Sequence, residues 1–355
     1  MSKQLELNAN DIISGLDNLN HRFAGKKILL TGAAGFLGHQ FVHYFMALND
    51  SNILKTPCTL YAWDNYLRGV PQMLDDFEKR VDIIAQKRDI ITDIDYPCPD
   101  FIIHAASIAS PIYYRKYPIE TIDVNVTGLR NLLEYSKKNR IESLLFFSTS
   151  EIYGDPDPEN IPTSEDYRGF VSCTGPRACY DESKRLGETL CSNFFKVYNV
   201  PVKIVRPFNN YGPGLKITDK RVLPDFFKNI INNKDISILS NGRATRTFCY
   251  ISDAVEGYLK ALLSDYNGEP FNIGNDRPEI SISDLAELTI KISGKKLNVN
   301  YDVSSDKEYL TDNPQRRCPS IEKARKLLNF NPKIGLEMGL KRTYEYYLKD
   351  LVVSD

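Results

Sequence analysis

Apolar residues in the chain form two kinds of pattern: short continuous runs, and longer segments in which they recur at helical spacing. The runs KILLT, TLYAW, FIIH and SLLFF are short and rich in branched or aromatic residues, which is typical of buried strands. The segments FLGHQFVHYF and TIDVNVTGLRNLLEYSKKN repeat apolar positions every three or four residues and predict amphipathic helices. Strands that alternate with helices predict an α/β fold, a doubly wound parallel sheet with helices on both faces.

The pattern changes along the chain and predicts three regions. Residues 1–25 are polar with weak helical spacing, and we expect an N-terminal extension that packs on the main body. Residues 26–209, with roughly 250–275, carry the alternating strands and helices. Residues 210–249 and 276–355 are expected to form a smaller C-terminal lobe on the substrate side, because the alternation loosens past residue 205.

Composition and charge exclude several classes of function. The 45 basic and 46 acidic residues nearly cancel, so the overall charge favours neither nucleic acid nor an anionic membrane as a partner. Seven cysteines are scattered without a CxxC pair, and the four histidines do not cluster with them, so we expect no metal site and reduced thiols in the cytoplasm. No signal peptide or membrane-spanning run is evident in the sequence.

Glycines at positions 32, 35 and 38 follow the first strand and open the first long helix of the sheet region. Glycines let the backbone approach a pyrophosphate, whose charge meets the free N–H groups and positive dipole end of the helix. Asp64 ends the second strand, where it can accept hydrogen bonds from a ribose, which favours NAD; Arg68 nearby keeps NADP as an alternative. The predicted cofactor-binding residues are Gly32, Gly35, Phe36, Leu37, Gly38, Asp64 and Asp89, with Tyr180 and Lys184 from the next motif.

Tyr180 and Lys184 are four residues apart in a segment whose apolar spacing predicts a helix from Ala178 to Tyr198. A nearby ammonium favours the phenolate, so we expect Lys184 to lower the pKa of Tyr180 and make it a general base for a sugar or alcohol hydroxyl. The strand that ends at STSE reaches the carboxyl edge of the sheet, where ligands of α/β proteins bind. Its hydroxyls and Glu151 are therefore expected beside the reacting carbon.

The motifs TGAAGFLG, STSEIYGDP and YDESK together resemble those of the extended short-chain dehydrogenase/reductase family, which includes the NAD-dependent epimerases and dehydratases of nucleotide sugars. The segments SEDYRGFVSCTGPRACYDESKRLGETL, RPFNNYGPG and NPQRRCPSIEKARKLLNFNPK are most similar to UDP-glucuronate decarboxylases, or UDP-xylose synthases. The resemblance runs from about residue 26 to 345. It implies a Rossmann domain, NAD as the cofactor, a UDP-linked sugar as the substrate and a homodimer.

The resemblance also implies roles for individual residues. Tyr180 would take the proton of the sugar 4-hydroxyl, Thr149 would share that hydrogen bond, and hydride would pass to NAD. The resulting 4-ketone lies β to the C6 carboxylate, so carbon dioxide can leave. Reprotonation at C5 and return of the hydride to the 4-ketone would then give a pentose. Ser150, Glu151 and Arg317 match family positions around the carboxylate, and Lys184 completes the catalytic set. The further substrate-binding residues implied are Ser110, Tyr114, Asn209, Arg221 and Arg246.

Several residues also have a purely structural interpretation. Arg317 could form a surface ion pair with Asp312 or Glu322, and Arg221 and Arg246 could be ordinary solvated charges. Asn125 matches a family asparagine that holds the catalytic helix in place, or it caps the start of a helix.

Three other functions remain open at this stage. A nucleotide-sugar 4,6-dehydratase would use the same oxidation, with Glu151 removing the C5 proton, whereas a 4-epimerase has no obvious need for that carboxylate. From a different class, the chain could be a non-catalytic NAD-binding sensor or scaffold. A cation at position 317 suits a C6 carboxylate better than a hydroxymethyl group, so decarboxylation is the main hypothesis. Glu120 and Asp123 stand where the decarboxylases usually carry lysines, which leaves the sugar and the fate of the 4-ketone open.

Overall fold

The sequence pattern produces a layered α/β structure in a computed structural model, which describes residues 2–69, 80–303, 311 and 313–352. The strands are β1 (Lys27–Thr31), β2 (Thr59–Asp64), β3 (Ile83–Lys87), β4 (Phe101–His104), β5 (Ser143–Phe147), β6 (Val202–Pro207), β7 (Asn210–Tyr211), β8 (Ile236–Ile238), β9 (Thr245–Arg246), β10 (Cys249–Tyr250), β11 (Pro270–Ile273), β12 (Ile280–Ser281), β13 (Val299–Tyr301) and β14 (Arg316–Arg317). The helices are α1 (Lys3–Leu16), α2 (Phe36–Asp50), α3 (Pro111–Lys116), α4 (Pro118–Asp123), α5 (Leu129–Lys138), α6 (Ala178–Tyr198), α7 (Val222–Ile231), α8 (Ile251–Leu262), α9 (Ile282–Ser293), α10 (Glu322–Leu328) and α11 (Leu336–Val352).

Seven of the described strands form one parallel sheet in the order β11-β6-β5-β4-β1-β2-β3. Every residue of β5 is buried, as the continuous apolar run SLLFF predicts for a strand covered on both faces. The strand order reverses on either side of β1, and in such sheets ligands bind outside the carboxyl ends of the strands at that reversal. The predicted doubly wound parallel sheet is confirmed, and it places the ends of β1, β2, β4 and β5 at one edge.

The C-terminal part of the chain adds shorter sheets beside this edge. Strand β9 pairs with β12 and β14, β8 pairs with β13, and β7 pairs with β10. The pairing of β14 with β9 sets Arg317 opposite Arg246. Two arginines that are distant in sequence therefore lie side by side near the edge of the main sheet.

Helix α1 packs on α2 and α8, and its buried face carries Leu5, Ile12 and Leu16. Polar contacts add to this packing: Asn8 donates to Gln40 over 3.2 Å and accepts from the Tyr250 hydroxyl at 2.8 Å. The N-terminal residues thus contact both the glycine-turn helix and the C-terminal half. In the described part of the chain, no helix is long and apolar enough to cross a bilayer.

Candidate active site

The glycine turn lies between β1 and α2 and is packed against the loop after β4. Gly32 has a φ of 74°, and a Cβ there would lie 2.6 Å from backbone atoms of Ala106, so only glycine fits. Gly35 begins α2, and the closest atom to a Cβ built on it is the Gly32 carbonyl oxygen, at 3.2 Å. Phe36 and Leu37 form the first turn of α2. No side chain caps the N-terminus of α2, so its backbone N–H groups are available where a pyrophosphate would approach.

Asp64 sits beside this turn, at the end of β2. Its carboxylate accepts hydrogen bonds from the backbone N–H of Ala34 at 3.0 Å and of Tyr66 at 2.7 Å, and burial raises its pKa. Beyond it lies a cavity of about 350 Å³ at the carboxyl ends of β2 and β3. The residues lining it are Asn65, Leu67, Lys87, Arg88, Asp89 and Asp93. Turn, carboxylate and cavity follow one another along the sheet edge, which fits the pyrophosphate, ribose and adenine of a dinucleotide.

Arg68, on which the NADP alternative depended, is already paired. Its guanidinium lies 2.9 Å from the carboxylate of Asp219 and stacks over the ring of Tyr113 at 4.5 Å. A 2′-phosphate would have to compete with a carboxylate whose side chain is only 1% exposed. The structure therefore gives NADP no free arginine at position 68.

Helix α6 runs from Ala178 to Tyr198, as the spacing predicts, and holds Tyr180 and Lys184 on one buried face. Thr149 forms a hydrogen bond with the Tyr180 hydroxyl. The ammonium of Lys184 donates to the carbonyl of Phe147 at 2.8 Å and lies 5.9 Å from the centre of the Tyr180 ring. Strand β5 and helix α6 together bring the three groups to the carboxyl edge of the sheet.

The predicted lowering of the Tyr180 pKa is wrong in direction. Burial raises the pKa of Tyr180 to about 12, while the hydrogen bond from Thr149 opposes this shift. Burial also lowers the pKa of Lys184 to about 7. Desolvation penalises the charged form of each group, and at this depth it outweighs the attraction that the spacing predicted.

Two of the predicted substrate residues form a wall beside Tyr180. The ring of Tyr114 stacks on that of Tyr180, with centroids 5.2 Å apart and planes inclined by 10°. Ser110 is buried and directs its hydroxyl to the carbonyl oxygen of Asp219 at 3.5 Å. Ser150 is buried in the short helical turn that carries Glu151.

Glu151 is held between two arginines. Arg317 binds it with both guanidinium ends, at 2.5 and 2.6 Å, and Arg177 contacts the same carboxylate from the start of α6. Although burial opposes ionisation, Arg177 and Arg317 hold the pKa of Glu151 down at about 2. Arg317 therefore does not form the alternative surface pair with Glu322, which is bound to Arg325 at 2.7 Å, and Asp312 lies outside the described residues.

Arg177 and Asp181 complete this cluster, and sequence inspection did not select them. Arg177 Nε lies 3.6 Å from a carboxylate oxygen of Asp181, and burial together with the charge of Glu151 raises the pKa of Asp181 to about 7. Within the described residues, Arg177 Nε and Asp181 Oδ1 are buried without a hydrogen-bond partner. The signal was present, because positions 177 and 181 have the same spacing of four residues that drew attention to Tyr180 and Lys184.

The remaining predicted residues have defined partners. Arg246 is buried rather than solvated: it donates to the carbonyls of Pro314 at 2.6 Å and Gln315 at 3.1 Å, and burial and Arg317 lower its pKa to about 9. Arg221 pairs with Asp219 at 2.5 Å at the start of α7. The side-chain amide of Asn209 donates to the carbonyl of Thr247 at 2.8 Å.

Asn125 joins the cofactor side of the sheet to α6. It accepts a hydrogen bond from Ser107 at 2.8 Å and donates to Ser183 of α6 at 2.9 Å. The residue lies within a wide helical turn, Val124–Gly128, that continues α4 into α5, so the helix-cap interpretation is wrong. Wide turns of this kind are frequent at functional sites.

Comparison with known proteins shows which family the chain matches. The family model described as the NAD dependent epimerase/dehydratase family matches residues 28–274. The chain is 36% identical over 326 residues to a UDP-glucuronic acid decarboxylase of Xenopus tropicalis, covering 92% of this chain and 73% of that one. A UDP-glucuronic acid decarboxylase of Arabidopsis thaliana is 35% identical over 329 residues, with 92% and 90% covered.

Solved structures of nucleotide-sugar enzymes have the same fold as this chain. The UDP-glucuronic acid 4-epimerase of Bacillus cereus, in complex with UDP-glucuronic acid and NAD, superposes with a TM-score of 0.77 at 28% identity, covering 92% of this chain and 99% of that one. The family model thus covers more than half of the chain, and both relatives are more than 30% identical to it. The protein belongs to the NAD dependent epimerase/dehydratase family.

Proposed function

We propose that this protein is an NAD-dependent enzyme that decarboxylates UDP-glucuronate through a 4-keto sugar to a UDP-pentose. The observation that carries the proposal is the pair of guanidinium groups, Arg317 and Arg177, that flank Glu151 beside Tyr180 and Thr149. The relatives named as UDP-glucuronic acid decarboxylases support the same substrate and reaction.

The charges around Glu151 favour an anionic substrate. Arg177, Arg246 and Arg317 carry three positive charges, against one from Glu151, one from the exposed Asp155 near Arg246 and a fraction from Asp181, whose pKa is about 7. In a buried site such a surplus is costly unless an anion enters, and a carboxylate matches the planar fork of arginine. A neutral hexose would leave the surplus uncompensated, so the cluster supports a hexuronate.

The protein groups are arranged to manage the charge of the intermediate. Bound NAD supplies the two-electron oxidation of the sugar and its reversal. At neutral pH the Tyr180 hydroxyl, with a pKa of about 12, is protonated, so as it takes the proton of the sugar 4-hydroxyl during oxidation its own proton passes on towards Lys184. The same path returns a proton to the C4 oxygen as carbon dioxide leaves, while Thr149 donates a hydrogen bond. Lys184, with a pKa of about 7, can hold or release a proton beside it. Arg317 and Arg177 would hold the C6 carboxylate until it leaves.

The same geometry bears on the alternatives. A 4,6-dehydratase needs Glu151 to remove the C5 proton, but a carboxylate with a pKa of about 2 is a weak base. A 4-epimerase acting on the uronate would use the same cationic pocket, so the release of carbon dioxide is what separates the two reactions. A non-catalytic scaffold would have no use for a hydrogen-bonded Thr149 and Tyr180 with a buried Lys184 close by.

Cofactor, regions and assembly are part of the proposal. Gly32, Gly35, Gly38 and Asp64 would hold the NAD pyrophosphate and ribose, and Asp89 the adenine end. We divide the chain into the N-terminal extension (1–25), the NAD-binding domain (26–209 with roughly 250–275) and the substrate lobe (210–249 and 276–355). All seven cysteines are free thiols, which supports a reducing compartment such as the cytoplasm. Exposed apolar residues on α4 and α6, Ile119 and Leu186, support a homodimer.

Mass spectrometry of products tests the proposal. Purified protein with NAD is offered UDP-glucuronate and, separately, neutral UDP- and GDP-hexoses. We expect loss of carbon dioxide from the uronate alone, and the product mass shows whether the 4-ketone is reduced again. A UDP-sugar of unchanged mass but altered C4 configuration, detected by chromatography, would identify an epimerase. Loss of water from a neutral hexose would identify a dehydratase, and no reaction with NAD still bound would favour the scaffold.

Arg317→Ala serves as the matched variant in this assay, with Arg316→Ala as its control. Arg316 precedes it in β14 but pairs with Glu279, at 2.8 Å, away from Glu151. We expect only the Arg317 variant to lose turnover of the uronate. Equal losses in both variants would show that turnover depends on the integrity of strand β14 and not on the contact between Arg317 and Glu151.

A further inference from the structure

One buried carboxylate connects the loop after β2 to the loop before α7. The side chain of Asp219 is 1% exposed, and its two oxygens bind different arginines, Arg68 at 2.9 Å and Arg221 at 2.5 Å. Arg68 belongs to the segment that follows Asp64, whereas Arg221 begins α7. We call these three residues the Asp219 bridge.

On the cofactor side, hydrogen bonds fix the short segment between Asp64 and Arg68. Asp64 accepts from the backbone N–H of Tyr66, and Asn65 accepts from that of Leu67 at 3.1 Å. Asn65 and Leu67 both line the cavity at the carboxyl ends of β2 and β3. Arg68 is the next residue, so its position is linked to the wall of the dinucleotide site.

The substrate side of the bridge reaches two residues assigned above to the nucleotide sugar. Arg221 is held by its Nε in the bridge, and Ser110 directs its hydroxyl to the Asp219 carbonyl oxygen at 3.5 Å. A second link runs parallel to the bridge, because Lys216 donates to the carbonyl of Arg68 at 3.1 Å. The guanidinium of Arg68 also lies 4.5 Å from the ring centre of Tyr113, next to the Tyr114 that stacks on Tyr180.

Electrostatics favour a bridge in which both arginines are in place. A carboxylate removed from water needs its partners, and losing either arginine leaves a buried charge incompletely compensated. The position of each loop therefore constrains the other. Two binding sites that share such an element are energetically coupled, and the coupling acts equally in both directions.

We propose that Asp219 is a positioning residue that couples the NAD site to the nucleotide-sugar site through Arg68 and Arg221. Binding of a uridine diphosphate group fixes Arg221 and, through Asp219, the loop whose Asn65 and Leu67 line the adenine cavity. NAD and nucleotide then bind with positive cooperativity. The identity of the nucleotide ligand rests on the proposed function, whereas the bridge itself rests on the contacts above.

Equilibrium binding tests the coupling without any turnover. NAD affinity is measured by calorimetry with and without saturating UDP, and UDP affinity with and without NAD. In the unaltered protein we expect each ligand to tighten the other by the same factor, within about 5- to 150-fold. In Arg68→Gln, which keeps Asp219 paired with Arg221, the factor should fall to about one.

Lys220→Gln is the matched control, since Lys220 is an exposed lysine next to Asp219. It removes one positive charge from the same loop and should leave the coupling factor unchanged. Full coupling in Arg68→Gln, or equal loss of coupling in both variants, would overturn the proposal.

A variant cycle separates this inference from the proposed function. Arg68→Gln and Asp219→Asn should weaken NAD binding, and the double variant should weaken it no more than the stronger single variant, because all three variants break the same contact between Arg68 and Asp219. If the protein binds NAD but not UDP, the proposed function fails and the cycle alone decides the bridge. Additive effects on NAD affinity would refute the bridge. If Asp219→Asn does not fold, Arg68→Gln decides by itself, because unaltered NAD affinity in that variant would also refute it.

Discussion

At the scale of single residues, burial sets the chemistry of this site more strongly than sequence spacing does. Tyr180 and Lys184 have the spacing that suggests mutual activation, yet desolvation raises the pKa of the tyrosine and lowers that of the lysine. Glu151 shows the opposite outcome, because two arginines outweigh its burial. Opposite charges thus decide the sign of the shift at Glu151, and desolvation decides it at Tyr180 and Lys184.

Replacing Tyr180 by Phe should abolish most turnover without disturbing the fold. The variant removes the hydroxyl that bonds Thr149 and keeps the ring that stacks on Tyr114. Proton transfer by a positioned side chain contributes about 10²- to 10⁴-fold, so we expect a rate loss in that range. Turnover is measured by product mass and NAD binding by calorimetry. Wild-type turnover in the variant would exclude Tyr180 from the proton transfer.

Replacing Arg177 by Gln should change the pH profile as well as the rate. Arg177 lowers the pKa of both Glu151 and Asp181, so its removal raises both, and the acidic limb of kcat/KM moves to higher pH. A lost hydrogen bond to a charged group costs about 1.5–3 kcal/mol, which predicts a fall of about 10- to 150-fold in kcat/KM at neutral pH. Arg177→Lys should recover part of both effects. Lys196→Gln, an exposed change on the same helix, is the control, and an unshifted limb in the Arg177→Gln profile would contradict the role assigned to this residue.

The sequence predicted the residues whose positions depend on local structure, but not the contacts between residues that are distant in the chain. The glycines, Asp64, Tyr180 and Lys184 are close in sequence to the elements that place them, and their positions follow from strand, turn and helix. The contact between Arg317 and Glu151 spans 166 positions and depends on the pairing of β14 with β9. No local pattern carries that information, and only the family resemblance pointed to Arg317.

At the scale of elements, apolar periodicity was sufficient for regular helices and strands. The bounds of α6 match the prediction, and its buried residues run from Tyr180 to Phe194, although Leu186 and Val197 of the apolar pattern are exposed. The wide turn at Val124–Gly128 was not foreseeable, since it changes the helical register without a Gly-Pro signal and is stabilised by tertiary bonds from Asn125.

Asn125→Ala should therefore loosen α6 against the sheet. The change removes the donor to the buried hydroxyl of Ser183, which still bonds the carbonyl of Cys179, and the acceptor for the half-buried hydroxyl of Ser107, at about 1 kcal/mol for each lost hydrogen bond. We expect a lower melting temperature and a lower kcat with little change in KM, because the shift moves Tyr180 rather than the binding residues. Asn131→Ala is the control: Asn131 bonds the carbonyls of Ile90 and Ile91, so its loss should lower stability alone. An unchanged kcat in the Asn125 variant would restrict that residue to a structural role.

At the scale of the whole molecule, the surface formed by α4 and α6 exposes apolar side chains that a single chain leaves uncovered. Helices α4 and α6 pack against each other, yet Ile119 is 65% exposed and Leu186 46%. Apolar side chains on adjacent helices are typical of an interface, and a second copy of this chain would cover the same surface on both partners.

Sedimentation measurements across a range of protein concentrations should show a dimer. The double change Ile119→Glu and Leu186→Glu would place four carboxylates in a twofold interface, where like charges and desolvation oppose association, so this variant should sediment as a monomer. Val197→Glu is the control, because Val197 is 64% exposed near the far end of α6. A dimer that survives the double change would place the contact elsewhere. Dissociation by the control as well would indicate that the whole length of α6 lies in the interface. Since α6 also carries Tyr180, a monomeric variant with reduced turnover would show that the second copy stabilises the catalytic helix.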